Sequence, residues 1–211
     1  MDDSNQEFEA MQKSTAKGAK SMYRAKRFLS SAEFLGSKES NEGYELVDGE
    51  LVPKISPTYK HASIQGRFLQ LIDDWCQEQQ YGRVLPEWSV ILQRHGTDWV
   101  PVPDITYVSC NRLSADWEED EPCPVPPELV IEIISLGQTF GGMMSKASDY
   151  LLTGVDRVWV VDNQSSSVAV FGNSKFPQIF RINDTISDAL LPDLAIALSD
   201  IFAPKRLPNA D

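Results

Sequence analysis

PELVIEIISLG, Pro127 to Gly137, is the stretch on which the reading of this chain turns. As a strand it places Leu129, Ile131 and Ile133 on one face and Val130, Glu132 and Ile134 on the other, because side chains alternate along an extended backbone. One carboxylate therefore stands in a row that should be buried. Burying a lone carboxylate is costly unless something compensates the charge, so Glu132 calls for a partner.

A second run with the same conflict lies upstream, in VPDITYVSC from Val102 to Cys110. Pro103 ends whatever precedes it, and Asp104 stands at the mouth of an apolar strand, Ile105 to Val108. Downstream of Glu132 the segment from about Thr139 to Thr153 predicts a helix, with Gly154 placed to stop it. On that helix Met143, Lys146 and Tyr150 recur at i, i+3 and i+7, which turns Lys146 toward the inward face. A further strand follows within GVDRVWVVD, Gly154 to Asp162. Each charged residue also has an ordinary reading: Asp104 as a turn residue, Glu132 as half of a salt bridge, Lys146 as a solvated stem. What sets them apart is that all three occur together. Two strand carboxylates and an inward lysine suit a hard divalent cation, because Mg²⁺ takes oxygen ligands, keeps several waters and is usually held by one or two carboxylates. A nearby ammonium can then orient or deprotonate an attacking water.

In this order the residues resemble a known family. The Pro-Asp pair, then Glu132-Ile133-Ile134-Ser135, then Lys146 and Tyr150 with Gly154-Val155 and VWVVD after them, look like the Uma2 family (DUF820) of restriction endonuclease-like proteins, within the PD-(D/E)xK nuclease superfamily. YELVDGELV (Tyr44 to Val52) and the Ser56-Pro57 to His61 spacing match the same pattern, so the resemblance runs from about Phe28 to Val170. It implies that Asp104 and Glu132 bind metal, Mg²⁺ or Mn²⁺, and that Lys146 is the motif lysine. Glu45 and His61 join as further candidates, His61 as a phosphate or water contact rather than a ligand. The implied activity is hydrolysis of DNA phosphodiester bonds. One departure stands out: two residues after Glu132, where the superfamily has its lysine, this chain has Ile134.

Around this centre the rest of the chain reads as follows. Ser30 caps a short helix over Ala32 to Leu35. Asp48-Gly49 between two apolar runs predicts a two-residue hairpin turn. Ile64, Phe68, Leu71, Ile72 and Trp75 follow a 3.6-residue period, which predicts a helix over 59–80 ended by Gly82. Arg83 to Leu92 reads as one strand, with Glu87 able to approach the carboxylates or, more simply, at an edge, and a turn at His95 to Asp98. Arg157 to Asp162, Ser167 to Phe171 and Gln178 to Ile182 read as strands, and 184–202 as an apolar segment ending in a short helix. The fold expected is a restriction-endonuclease-like α/β domain: a mixed central sheet flanked by the 59–80 helix and the Lys146 helix, with an N-terminal β-hairpin.

At 211 residues and 42% hydrophobic content the chain suits one domain with a sizeable core, here 28–205, followed by a tail over 206–211. Three irregularly spaced cysteines and two histidines argue against a zinc site. The opening MDDSNQEFE lacks a signal pattern and no apolar run reaches eighteen residues, so a cytoplasmic protein with no membrane segment is expected. The net charge of −12 is awkward for a nucleic-acid partner. Of 19 basic and 31 acidic side chains, six and four lie before Phe28, which leaves 13 against 27 and a body at −14. The arm 1–27 is correspondingly basic, with Lys13, Lys17, Lys20, Arg24 and Arg27 at helical spacing, suited to a phosphate backbone. The acidic run Asp116 to Glu121 would repel such a backbone if it overhung the site. These features leave two readings: a metal-dependent DNA endonuclease working as a homodimer, or a catalytically silent nuclease-like module that binds nucleic acid or protein. No protein partner is named by any motif.

Overall fold

The computed structural model describes residues 28–203. The basic arm 1–27 and the tail 206–211 lie outside the described residues. The chain begins with a short helix α1 (Ser31–Leu35), whose N-cap Ser30 and Glu33 form a reciprocal capping box. After one 3₁₀ turn comes the hairpin β1 (Tyr44–Val47) and β2 (Glu50–Pro53). Its loop residues Asp48 and Gly49 both have positive φ, 52° and 79°, as a primed two-residue turn requires.

Helix α2 (Tyr59–Gln79) carries Ile64, Phe68, Ile72 and Trp75 as its buried stripe. It ends at Gln80, which takes the left-handed conformation itself (φ 54°), rather than at the glycine expected from sequence. Gly82 instead opens β3 (Gly82–Pro86), where it lies so close to the neighbouring strand that a Cβ would sit 2.3 Å from the Val108 carbonyl oxygen. The single strand expected over 83–92 is broken: Glu87 adopts φ 51°, and the chain resumes as a small hairpin, β4 (Leu92–Arg94) and β5 (Thr97–Trp99), turning at His95-Gly96. Asp98 lies in β5, outside that turn.

The central sheet is completed by β6 (Ile105–Ser109), β7 (Leu129–Ile133), β8 (Arg157–Asp162), β9 (Ser167–Phe171) and β10 (Gln178–Arg181), in the order β10-β9-β8-β7-β6-β3. Only β7 and β8 are parallel, and helix α3 (Phe140–Leu152) makes the crossover between them. The apolar 184–202 segment forms a hairpin, β11 (Thr185–Asp188) and β12 (Leu191–Ala197), then the short helix α4 (Leu198–Phe202).

Each sheet face has its own core, as the alternation in β7 requires. Ile105, Leu129, Ile131, Ile133, Trp159 and Val161 pack under α2 and the C-terminal hairpin. Val108, Val130, Val158 and Val160 pack under Met143, Ala147 and Tyr150 of α3. The expected mixed sheet with a helix on either side and an N-terminal hairpin is what the chain forms. The acidic loop leaves β6 and enters β7 at the end of the sheet opposite to Asp104. Among the described residues no helix is long and apolar enough to cross a membrane.

Candidate active site

The register of β6 and β7 creates the site. Ile105 pairs with Ile131 and Thr106 with Val130, so continuing the antiparallel ladder by one residue sets Asp104 level with Glu132. Continuing β3 beyond the Pro86–Ile105 pair sets Glu87 level with Asp104, and the Glu87 amide donates to the Asp104 carbonyl at 3.3 Å. Three carboxylates thus stand in a row across three strand ends. Glu132, on the Val130 face, points at α3, where the Tyr150 hydroxyl donates to its Oε1 at 2.7 Å. Lys146 Nζ lies 3.0 Å from the same oxygen and also donates to Glu45 Oε1 at 3.1 Å. The Val102 amide donates to that Glu45 oxygen at 2.9 Å, which stitches β1 to the segment entering β6.

Asp104 is 2% exposed and held from three directions. Its Oδ2 accepts from the Ile133 amide at 2.6 Å and lies 3.1 Å from His61 Nε2, while Oδ1 is 3.2 Å from Lys54 Nζ. His61 comes from the first turn of α2 and is 3% exposed; it does not line the cavity but braces Asp104 from behind. A carboxylate oxygen accepts, so Nε2 donates, while the buried Nδ1 has no hydrogen-bond partner among the described residues.

These groups face one cavity of about 180 Å³, lined by Glu45, Lys54, Asp104, Glu132, Gln138 and Lys146 among others. The five residues singled out from sequence are therefore brought together, four in the wall and His61 behind it. Sequence reasoning misses Lys54; Glu87, which from sequence either approaches the carboxylates or, more simply, sits at an edge, binds the Lys54 ammonium. A signal for Lys54 is present: in the hairpin Glu45 pairs with Val52, and alternation puts Lys54 on the same side as Val52. Wherever Glu45 points, Lys54 points too.

Proton affinities follow the charges. Burial pushes Asp104 up, but the His61 hydrogen bond, the Lys54 charge and the Ile133 amide outweigh it, and its pKa is lowered from 3.8. Burial dominates at Glu132, helped by the neighbouring Asp104 and Glu45 charges against Lys146 and Tyr150, and its pKa is raised from 4.5. At Lys146 burial acts downward, yet the Glu132 and Glu45 carboxylates overcome it and hold the ammonium protonated well above neutrality.

No three His, Cys, Asp or Glu side chains converge as a ready cation cage among the described residues. The donor set nonetheless fits a hard cation that keeps its waters. Asp104 and Glu132 offer oxygen only, and Glu132 Oε2 receives no hydrogen bond from any described residue.

A model of the Uma2 family, described as "Putative restriction endonuclease", matches residues 30–199. A crystal structure of "a putative nuclease belonging to DUF820" from Anabaena variabilis superposes with a TM-score of 0.71 at 22% identity, covering 82% of this chain and 97% of that one. That likeness bears on the fold alone. The DrdV-DNA complex, solved by electron cryomicroscopy, aligns over 60% of this chain and 75% of its own at 19% identity and a TM-score of 0.38, too low to carry an argument. No curated protein matches the chain.

Proposed function

The chain belongs to the Uma2 family, and on that premise we propose that it is an endonuclease that hydrolyses DNA phosphodiester bonds with a divalent cation, Mg²⁺ or Mn²⁺, held by Asp104 and Glu132. The observation that carries this reading is the cavity in which carboxylates from two adjacent strands face a cation from a helix. When bound, the metal would polarise a phosphoryl oxygen and ease deprotonation of water. The chain's own residues supply the rest. His61 and the Ile133 amide fix the Asp104 carboxylate so that one oxygen faces the cavity. Glu45 and Tyr150 fix the groups around Glu132. Because its pKa is raised, Lys146 acts as a fixed positive charge beside the phosphate rather than as a base. With one such site per chain, a homodimer is the form suited to cutting both strands.

The test is cleavage of linear, supercoiled, single-stranded and branched DNA in Mn²⁺ at low salt. Wild type should cut, and chelation should stop it. Glu132→Gln and Asp104→Asn should show no cleavage while keeping their fold, and Lys146→Met should lose about 10²–10³-fold. Equal cutting by both carboxylate variants would refute the assignment. One observation favours a second reading, a silent nuclease-like binding module: the body from Phe28 onward carries −14, and both cavity lysines are already paired with carboxylates. Under that reading wild type binds nucleic acid or protein but does not cut in any metal.

A further inference from the structure

Asp104 and Glu132 are unequal in what they leave open. Glu132, which lines the cavity, keeps both of its partners on Oε1, so Oε2 has no hydrogen-bond partner among the described residues. Asp104 spends Oδ2 on the Ile133 amide and His61, so only Oδ1 remains, and Lys54 lies 3.2 Å from it. The Lys54 ammonium is anchored independently of Asp104. It donates to the Val102 carbonyl at 2.7 Å and to Glu87, which is itself fixed by Gln65 at 2.9 Å. Its side chain is 20% exposed and lines the cavity, so it stays in place whether or not Asp104 accepts from it.

From this geometry we propose that Lys54 is a tethered counter-cation on the metal-facing oxygen of Asp104, and that it weakens divalent-cation binding at the site. The proposal rests on the metal reading above and concerns only the residue that tunes it. A divalent ion approaching Oδ1 meets a unit positive charge a few ångströms away, and the Glu87 carboxylate only partly offsets it. A site so arranged keeps a counter-charge on Asp104 without metal and loads only when the cation concentration is high. The opposite effect follows if Lys54 merely clamps Asp104 in position, because losing the clamp would then loosen the ligand and weaken binding.

Titration calorimetry with Mn²⁺ alone, without nucleic acid, separates these. Lys54→Met should bind Mn²⁺ about tenfold more tightly than wild type, the order expected for removing one nearby charge in a half-buried site. Lys54→Arg, which keeps the charge, should bind like wild type. Should Lys54→Met fold poorly without metal, Lys54→Gln serves the same comparison, and the rise of its thermal midpoint with added Mn²⁺ should exceed that of wild type. Equal or weaker binding by the neutral variants overturns the proposal while leaving the metal site standing. If neither wild type nor Lys54→Met binds Mn²⁺, and Asp104→Asn changes nothing, the metal reading itself fails.

Discussion

A carboxylate whose proton affinity falls on folding adds stability only where it is ionised, and Asp104 is of that kind. Its contribution is present above the unfolded value near 3.8 and is lost as the pH drops through the lowered folded value. Glu132 has the opposite sign. Its folded pKa is raised, so the native state binds its proton more tightly than the unfolded chain does, and stability declines as pH climbs from 4.5 toward the folded value. Lys146 keeps its charge throughout this range. Thermal midpoints measured in chelator between pH 4 and 7 should therefore show Glu132→Gln improving relative to wild type as pH increases. Asp104→Asn should stay below wild type over the same range. A Glu132→Gln midpoint that tracks wild type at every pH would mean that Glu132 is not held under charge strain. The charge conflict at both residues is legible in the chain, since Glu132 interrupts an apolar strand and Asp104 opens one. Lys54 is legible only as to its side, which the hairpin pairing shares with Glu45; its contact with Glu87, 33 residues away, is not.

Two elements hold the site without entering it. Arg94, on the β4–β5 hairpin, pairs with Asp48 in the β1–β2 turn and with Asp149 on α3, each at 2.6 Å. It thus ties the hairpin that carries Glu45 to the helix that carries Lys146. Arg94→Met should lower stability by about 1.5–3 kcal/mol, the range for a charge-assisted hydrogen bond to a partly buried partner, and should reduce cleavage more than a distant substitution of equal stability cost. Chemical denaturation and the cleavage assay together check this; loss of stability with full activity would show that Glu45 and Lys146 position themselves. At the β3 edge, Gly82→Ala drives a Cβ into backbone that cannot yield. A destabilisation of about 1–3 kcal/mol is expected, and a neutral result in urea unfolding would mean that β3 shifts along β6. The helix periods and the hairpin turn are readable because each depends on residues adjacent in sequence. The break at Glu87 is not, because an unfavourable left-handed backbone is held there by the bonds from Glu87 to Lys54, Gln65 and Asp104.

For the whole molecule the question is how so acidic a body meets a polyanion. The loop that carries the acidic run 116–121 leaves β6 at the end away from Asp104 but returns along the edge of the sheet, where the Glu121 carbonyl accepts from the Trp88 indole at 3.0 Å, so its charge adds to that of the body. The arm differs from the body in sign, with six cations against four acids before Phe28 and 13 against 27 after it. Removing residues 1–27 should weaken DNA binding and flatten its salt dependence, by about 0.9 in the slope of log K against log salt for each phosphate that the arm neutralises. Affinity and slope both unchanged would exclude the arm from binding.

By itself the sequence determined the layers and the chemistry of this chain. Apolar alternation and period specify which segments are strands or helices and which faces are buried, and those preferences are local. Its carboxylates in apolar runs likewise announced a charge that had to be answered. Only the tertiary structure decided how. The register that sets Asp104 level with Glu132, the hairpin docking that brings Glu45 and Lys54 to the same cavity, and the His61 brace behind Asp104 all join residues tens of positions apart. Such contacts form when sheet and helices pack against one another, and no local pattern encodes them.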